Sequence, residues 1–166
     1  MEAIRLLYNV MTETKKELLQ AVAVPVEKTA SGFLSEICQA PIADIYLNPS
    51  FGTDRVVPAA LAGSREGVKI DQMSGGEKEQ IYLCTRLAVA AELARQERQL
   101  LVLDDVLTFT DDARLGRICD ILARVSSDLQ ILILTCHPER FMALRNAKLF
   151  DLQGLLTSPA ESLARV

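Results

Sequence analysis

Three short segments of this 166-residue chain hold residue types that could do chemistry. Asp104 and Asp105 follow the apolar run Leu-Leu-Val-Leu at 100–103, and His137, the only histidine, follows Ile-Leu-Ile-Leu-Thr-Cys at 131–136. A carboxylate at the end of a strand suits Mg²⁺, which keeps most of its water and takes one or two carboxylates plus phosphate oxygens. The plain alternative is an Asp-Asp turn leaving a strand. The third segment is Ser74-Gly75-Gly76-Glu77. Two glycines at a helix start leave backbone N–H groups unobstructed, and with the helix dipole these form an anion site. The same four residues also read as a capping box, Ser followed three positions later by Glu. One hydroxyl cannot serve the cap and a phosphate fully at once.

The elements that must position these residues follow from apolar spacing. Residues 75–97 are expected to form a helix whose middle, Ile81 to Ala94, is apolar on most faces and so buried between layers. Residues 100–104 and 130–135 read as buried strands, joined by a helix over 112–125. Two such strands joined by one helix predict a parallel βαβ unit with a right-handed crossover. Ligands of open parallel sheets collect beyond the carboxyl ends of the strands. Asp104, Asp105 and His137 then share one rim if the strands are neighbours. Successive strand residues face opposite sides, so both aspartates serve that rim only if the chain turns just after Asp104. A short helix over 138–145 and a last strand over 148–152 complete this half.

The first half is less regular. Apolar residues Ile4, Leu7, Val10, Met11, Leu18, Leu19 and Val22 predict a helix over 2–22, stopped by Pro25, which cannot donate the next hydrogen bond. A second short helix is expected over 29–40. Turn formers between 42 and 72 frame short strands at Ala43–Leu47, Arg55–Val57 and Val68–Ile70, a small β-rich insert.

Composition narrows the function classes. Apolar residues make up 49% and charged residues 24%, ordinary for one globular domain and unlike a disordered tail, a collagen-like repeat or a disulfide scaffold. The net charge of −4 and absence of Trp leave no broad basic field or stacking platform, so any nucleic acid must bind a local patch. The four cysteines form no C-x-x-C pair, which argues against a zinc site and fits a reducing, cytoplasmic location. No apolar run reaches the roughly 18 residues of a membrane span, and no membrane partner is expected.

The combination is more specific than its parts. Met-Ser-Gly-Gly-Glu-Lys-Glu-Gln at 73–80, Leu-Leu-Val-Leu-Asp-Asp at 100–105, Phe-Thr-Asp-Asp at 109–112 and Ile-Leu-Thr-Cys-His at 133–137 occur in that order. This resembles the C-terminal half of an ABC-class ATPase head, in the SMC-like, RecF-like and YhaN-like branch that includes double-strand-break-repair ATPases. The resemblance covers about residues 67–140 and implies an α/β fold, the C-terminal part of a P-loop ATPase head. Residues 1–22 would be a coiled-coil stump and 23–166 the ATPase lobe.

It also implies roles. Asp104 would help hold Mg²⁺ as the Walker B aspartate. Asp105, one methylene shorter than the usual glutamate, would polarise the attacking water. His137 would sense the γ-phosphate of ATP. Ser74, Gly75, Gly76 and Glu77 would face the nucleotide of a second head, and Asp111 would couple the two sites across the dimer. DNA is a partner by resemblance only.

A Walker A loop needs G-x-x-x-x-G-K-[ST], and no glycine in this chain precedes a lysine. In the family that loop belongs to an N-terminal lobe, so a Walker A lobe is an expected partner and the isolated chain is expected to be inactive. Other readings stay open. The chain could be a non-enzymatic dimerisation or regulatory module without its P-loop lobe. Asp104, Asp105, Asp111 and Asp112 could form a two-metal nuclease site. Cys136 and His137 could form a nucleophile pair, although sequence neighbours rarely reach each other's side chains.

Overall fold

The computed structural model describes residues 2–39, 42–48, 52–58 and 67–157. Helix α1 spans Glu2–Cys38. Strands β1 (Ile42–Leu47), β2 (Thr53–Pro58) and β3 (Val68–Lys69) form an antiparallel sheet in that order. A 3₁₀ turn at Ile70–Gln72 leads into α2 (Gly75–Ala94). Then come β4 (Gln99–Asp104), α3 (Asp112–Val125) and β5 (Leu129–Leu134), a 3₁₀ turn at Pro138–Phe141 and α4 (Leu152–Thr157). β4 and β5 pair in parallel, Leu101 beside Ile131 and Asp104 beside Leu134, which gives the expected βαβ unit. The expected small β-rich insert is the three-stranded sheet.

Pro25 does not stop the first helix; it lies inside α1, and the separate helix expected over 29–40 is the second half of the same element. Proline removes one backbone hydrogen bond, but tertiary packing outweighs that local penalty. Val26, Ala30, Leu34 and Ile37 form a buried stripe at helical spacing, in the half of α1 that packs on α2, α3 and β1. Residue 22 is therefore no break in structure. Ahead of Pro25 the helix leaves Ile4, Leu6, Leu7, Tyr8, Val10 and Met11 exposed. α1 also satisfies strand groups: the Ile45 N–H donates to Ser31 Oγ and the Leu47 N–H to Glu27 Oε1, each at 2.8 Å.

α2 is the central element and packs against α1, β2, β4 and β5. Ile81, Leu83, Cys84, Leu87, Ala88 and Ala90 are buried, as the apolar run predicts. Burial pushes the Cys84 thiol well above its ordinary range, so it is an inert core residue. α3 is held to α1 by the Arg124 guanidinium on Glu36, at 2.7 and 3.1 Å, and by Arg117 Nε donating to the Ile37 carbonyl at 2.7 Å.

Two expectations for the second half need correction. The helix expected over 138–145 is a single 3₁₀ turn ending at Phe141, and no strand forms over 148–152, where residues 147–151 are irregular before α4. β4 and β5 are also not buried on both faces. Leu101, Leu103, Ile131 and Ile133 pack on the core, whereas Leu100, Val102, Leu132 and Leu134 are exposed. Among the described residues no further strand or helix covers that second face.

Candidate functional site

β4 ends at Asp104, and Asp105 then takes φ 44°, in the left-handed region. That region is unfavourable for most residues but accessible to Asp. The chain thus turns where both carboxylates need it to turn. Strand alternation puts Asp104 on the open face, beside Leu134 in register. The Asp105 N–H donates to the Leu134 carbonyl at 2.8 Å, and Cys136 Sγ lies 3.9 Å from Asp105 Oδ1. The ends of β4 and β5 therefore form one rim, with His137 three residues past β5.

His137 is exposed, its N–H donates to Thr135 Oγ1 at 2.9 Å, and its Nδ1 lies 3.1 Å from Glu139 Oε1. The Glu139 carboxyl is held below its ordinary range by its own backbone N–H and then by His137. Nε2 remains available to an incoming group.

At the start of α2 the capping box is formed. Ser74 Oγ accepts from the Glu77 N–H at 3.3 Å and donates to Glu77 Oε2 at 2.7 Å, and the Ser74 N–H reaches the same oxygen at 2.9 Å. These bonds hold the Glu77 carboxyl below its ordinary value, Ser74 Oγ contributing most. The Ser74 hydroxyl proton is thus committed to Glu77. The Gly75 and Gly76 N–H groups lie in the first turn, where a helix offers no internal acceptor. Asp111 caps α3 by accepting from the Arg114 N–H at 2.9 Å, which lowers its carboxyl pKa.

The loop from Asp105 to Thr110 joins these pieces through side chains that sequence reasoning missed. Glu79 of α2 accepts the Leu107 N–H at 2.5 Å. Arg140, in the turn after His137, donates from Nη1 to the Thr108 carbonyl at 3.1 Å and from Nη2 to the Thr110 carbonyl at 2.7 Å. A Cβ added at Gly76 would lie 3.2 Å from the Phe109 carbonyl oxygen, so that oxygen rests against the helix start. Partners about 30 residues apart leave no spacing signal in the sequence; the only hint was a charged residue within two or three positions of each motif.

The structure thus brings Asp104 and Asp105 to the rim that His137 follows, and the loop after Asp105 ties that rim to the α2 start that carries Ser74, Gly75, Gly76 and Glu77 and leads to Asp111 at the α3 cap. Asp104, an exposed carboxylate at a strand end, is an oxygen donor of the kind Mg²⁺ takes. Among the described residues no group of three or more His, Cys, Asp or Glu could hold a metal ion, so the two-metal nuclease reading gains no support. Cys136 faces Asp105, not His137, in its recorded contact, and the nucleophile pair gains none either.

The sequence matches no protein-family model. It is 35% identical over 88 residues to an uncharacterized protein of Mycobacterium tuberculosis, which covers 53% of this chain and 10% of that protein. It is 34% identical over 70 residues to the DNA double-strand break repair Rad50 ATPase of Methanocaldococcus jannaschii, 42% of this chain and 7% of that protein. The chain therefore spans about a tenth or less of the curated relatives it matches. Among solved structures, the Smc head domain with a coiled coil and joint from Pyrococcus yayanosii superposes with a TM-score of 0.62 at 23% identity, over 86% of this chain and 27% of that one. The Pyrococcus furiosus Smc head domain bound to the C-terminal domain of ScpA gives 0.60 at 22%, over 85% and 35%. An SMC ATPase studied for ATP-driven dimerization gives 0.57 at 21%, over 77% and 76%. The fold is that of SMC head domains, and the chain resembles the C-terminal lobe of an SMC/Rad50-like ATPase.

Proposed function

We propose that this chain is the C-terminal lobe of an SMC-like ATPase head, which binds and hydrolyses MgATP once a P-loop lobe completes it. The observation that carries the reading is the rim shared by the β4 and β5 ends, tied through the 105–110 loop to the α2 start. The open apolar face beside that rim supports the partner. It carries Leu100, Val102, Leu132 and Leu134, with Asp104 at its edge. A lobe covering this face would put its phosphate-binding loop next to Asp104.

The roles are those the resemblance implies. Asp104 would hold Mg²⁺, which when bound supplies charge neutralisation at the phosphates. Asp105, turned out of the strand, would polarise water. His137 would donate from Nε2 to the γ-phosphate. With Nδ1 donating to Glu139, Nε2 donates only as the imidazolium. The Gly75 and Gly76 N–H groups would meet the nucleotide of a second head, while Ser74 does so only by releasing Glu77. Asp111 would couple the two sites. The exposed apolar residues before Pro25 accord with a coiled-coil arm, DNA repair accords with the Rad50 resemblance, and a cytoplasmic location accords with the four free cysteines. A second reading is a non-enzymatic dimerisation module, which the open apolar face of Leu100, Val102, Leu132 and Leu134 also suits.

One experiment separates the two. The pure chain should bind MgATP with a dissociation constant above roughly 1 mM and hydrolyse none. Co-purified with a partner bearing G-x-x-x-x-G-K-[ST], it should hydrolyse ATP. Asp105→Asn should then slow turnover roughly 10²–10⁴-fold while keeping nucleotide bound, and Asp104→Asn should weaken Mg²⁺-dependent binding. Micromolar MgATP binding by the chain alone overturns the half-head reading. A complex that binds its partner but hydrolyses nothing favours the module.

A further inference from the structure

We infer that Arg140 is a positioning residue which, together with Glu79, clamps the 105–110 loop and makes the three motif segments move as one unit. The purpose rests on the ATPase reading above; the clamp itself rests on this chain's own contacts.

The loop is held in a conformation it would not choose unaided. Leu107 has φ 68°, a region that side chains other than Gly, Asn and Asp rarely adopt. Two things keep it there: the Leu107 side chain is buried, and its N–H is bound by Glu79 Oε1. Glu79 is an unfavourable choice for structure alone, because its second carboxylate oxygen is buried with no hydrogen-bond partner among the described residues. On the other side of the loop, the Arg140 fork grips the carbonyls of Thr108 and Thr110. A planar guanidinium presents two donors at fixed spacing, which a lysine ammonium cannot reproduce. Between those carbonyls Phe109 is held out to solvent, 78% exposed, with its own carbonyl against Gly76.

The consequence is mechanical. Glu79 and Gly76 belong to the helix that starts at Ser74, and Arg140 belongs to the turn that starts at His137. Asp105 and Asp111 flank the clamped loop. A shift of the His137 turn on meeting a γ-phosphate would pull Thr108 and Thr110 through Arg140, and so carry to both aspartates and to the α2 start. Coupling of this kind needs a contiguous set of contacts, and these four side-chain and backbone links supply one.

The test has two arms. In the full chain without nucleotide, NMR-detected amide exchange reads the clamp directly, because the Leu107 N–H donates to Glu79 and the Thr110 N–H to the Leu107 carbonyl. Arg140→Ala should speed exchange at both by about tenfold or more while α2 and α3 amides hold within about twofold. Arg140→Lys, which preserves charge, should fail to restore protection. Exchange at Leu107 and Thr110 at the parent rate in Arg140→Ala overturns the clamp. In the complex with a P-loop partner, Arg140→Ala should lower kcat about tenfold and leave KM for MgATP within about threefold. An unchanged kcat overturns the positioning role. A parent complex that hydrolyses nothing overturns the ATPase reading instead, and the exchange arm still decides the clamp.

Discussion

The two faces of the β4–β5 pair differ in what lies against them and hardly at all in composition. Leu101, Leu103, Ile131 and Ile133 lie against the helices, with Leu103 at 0% exposure. At the alternate positions Leu100, Val102, Leu132 and Leu134 stand open, with Leu100 at 59% and Leu132 at 45%. Soluble domains rarely present a contiguous apolar patch without a use for it. The alternation of a strand sends equal apolar residues to both sides, so the sequence specifies a sheet covered on both faces. The described residues cover one. The packed face holds the βαβ unit together; the open face, with Asp104 at its edge, is the surface that the proposed P-loop lobe would cover.

The largest effect that tests this contrast is a pair of truncations. Leu103→Ala should destabilise the chain by roughly 2–5 kcal/mol in urea denaturation, the usual loss for a buried leucine. Leu132→Ser should change stability by no more than about 0.5 kcal/mol, yet weaken capture of a P-loop partner. If Leu132→Ser were as damaging as Leu103→Ala in the isolated chain, the open face would be packed in solution and the contrast would fail. Thiol labelling sharpens the same contrast. Cys136 is exposed on the rim, while Cys84 and Cys119 are buried and their thiols raised by desolvation. Iodoacetamide should modify Cys136 in the native chain and reach the other two only on unfolding, as mass spectrometry would show. Equal labelling of Cys84 would mean that α2 is not packed as described.

The strands, α2, α3 and the insert were legible because their apolar spacing is set by local geometry. So was the rim, since Asp104, Asp105 and His137 follow apolar runs that must be strands. Legibility failed where distant packing decides. Pro25 argues for a helix end, and only the stripe from Val26 to Ile37, buried against elements far along the chain, holds the helix through it. The apolar content of β4 and β5 argues for burial on both faces, and nothing local says that one cover is missing from the described fold. Residues 148–152 are apolar enough for a strand, yet Leu149, Phe150 and Leu152 remain exposed. Glu79 and Arg140 escaped notice because each acts on a loop about 30 residues away.

The smallest expected effect lies at the α2 start, where the packed layer meets the rim. Ser74→Ala removes the hydroxyl that caps Glu77 N–H and binds Glu77 Oε2. It should cost about 1 kcal/mol at pH 7, well below the loss from Leu103→Ala, because a cap satisfies one terminal donor whereas a core leucine excludes water from a layer. The pH dependence follows from Glu77. Its folded pKa lies below the ordinary 4.5, mainly through the Ser74 side chain. A depressed carboxyl contributes stability that is fully present above its unfolded pKa and is lost as pH falls through its folded pKa. The stability difference between the parent and Ser74→Ala should therefore hold from pH 7 to about pH 5 and narrow below 4.5, as Glu77 takes up a proton in both proteins. Urea midpoints measured from pH 7 to pH 3 would show it. A difference that stays constant to pH 3 would mean that the Glu77 carboxylate adds nothing to the cap. The Ser74 hydroxyl proton would then be free to turn toward a phosphate while Oγ keeps the Glu77 N–H.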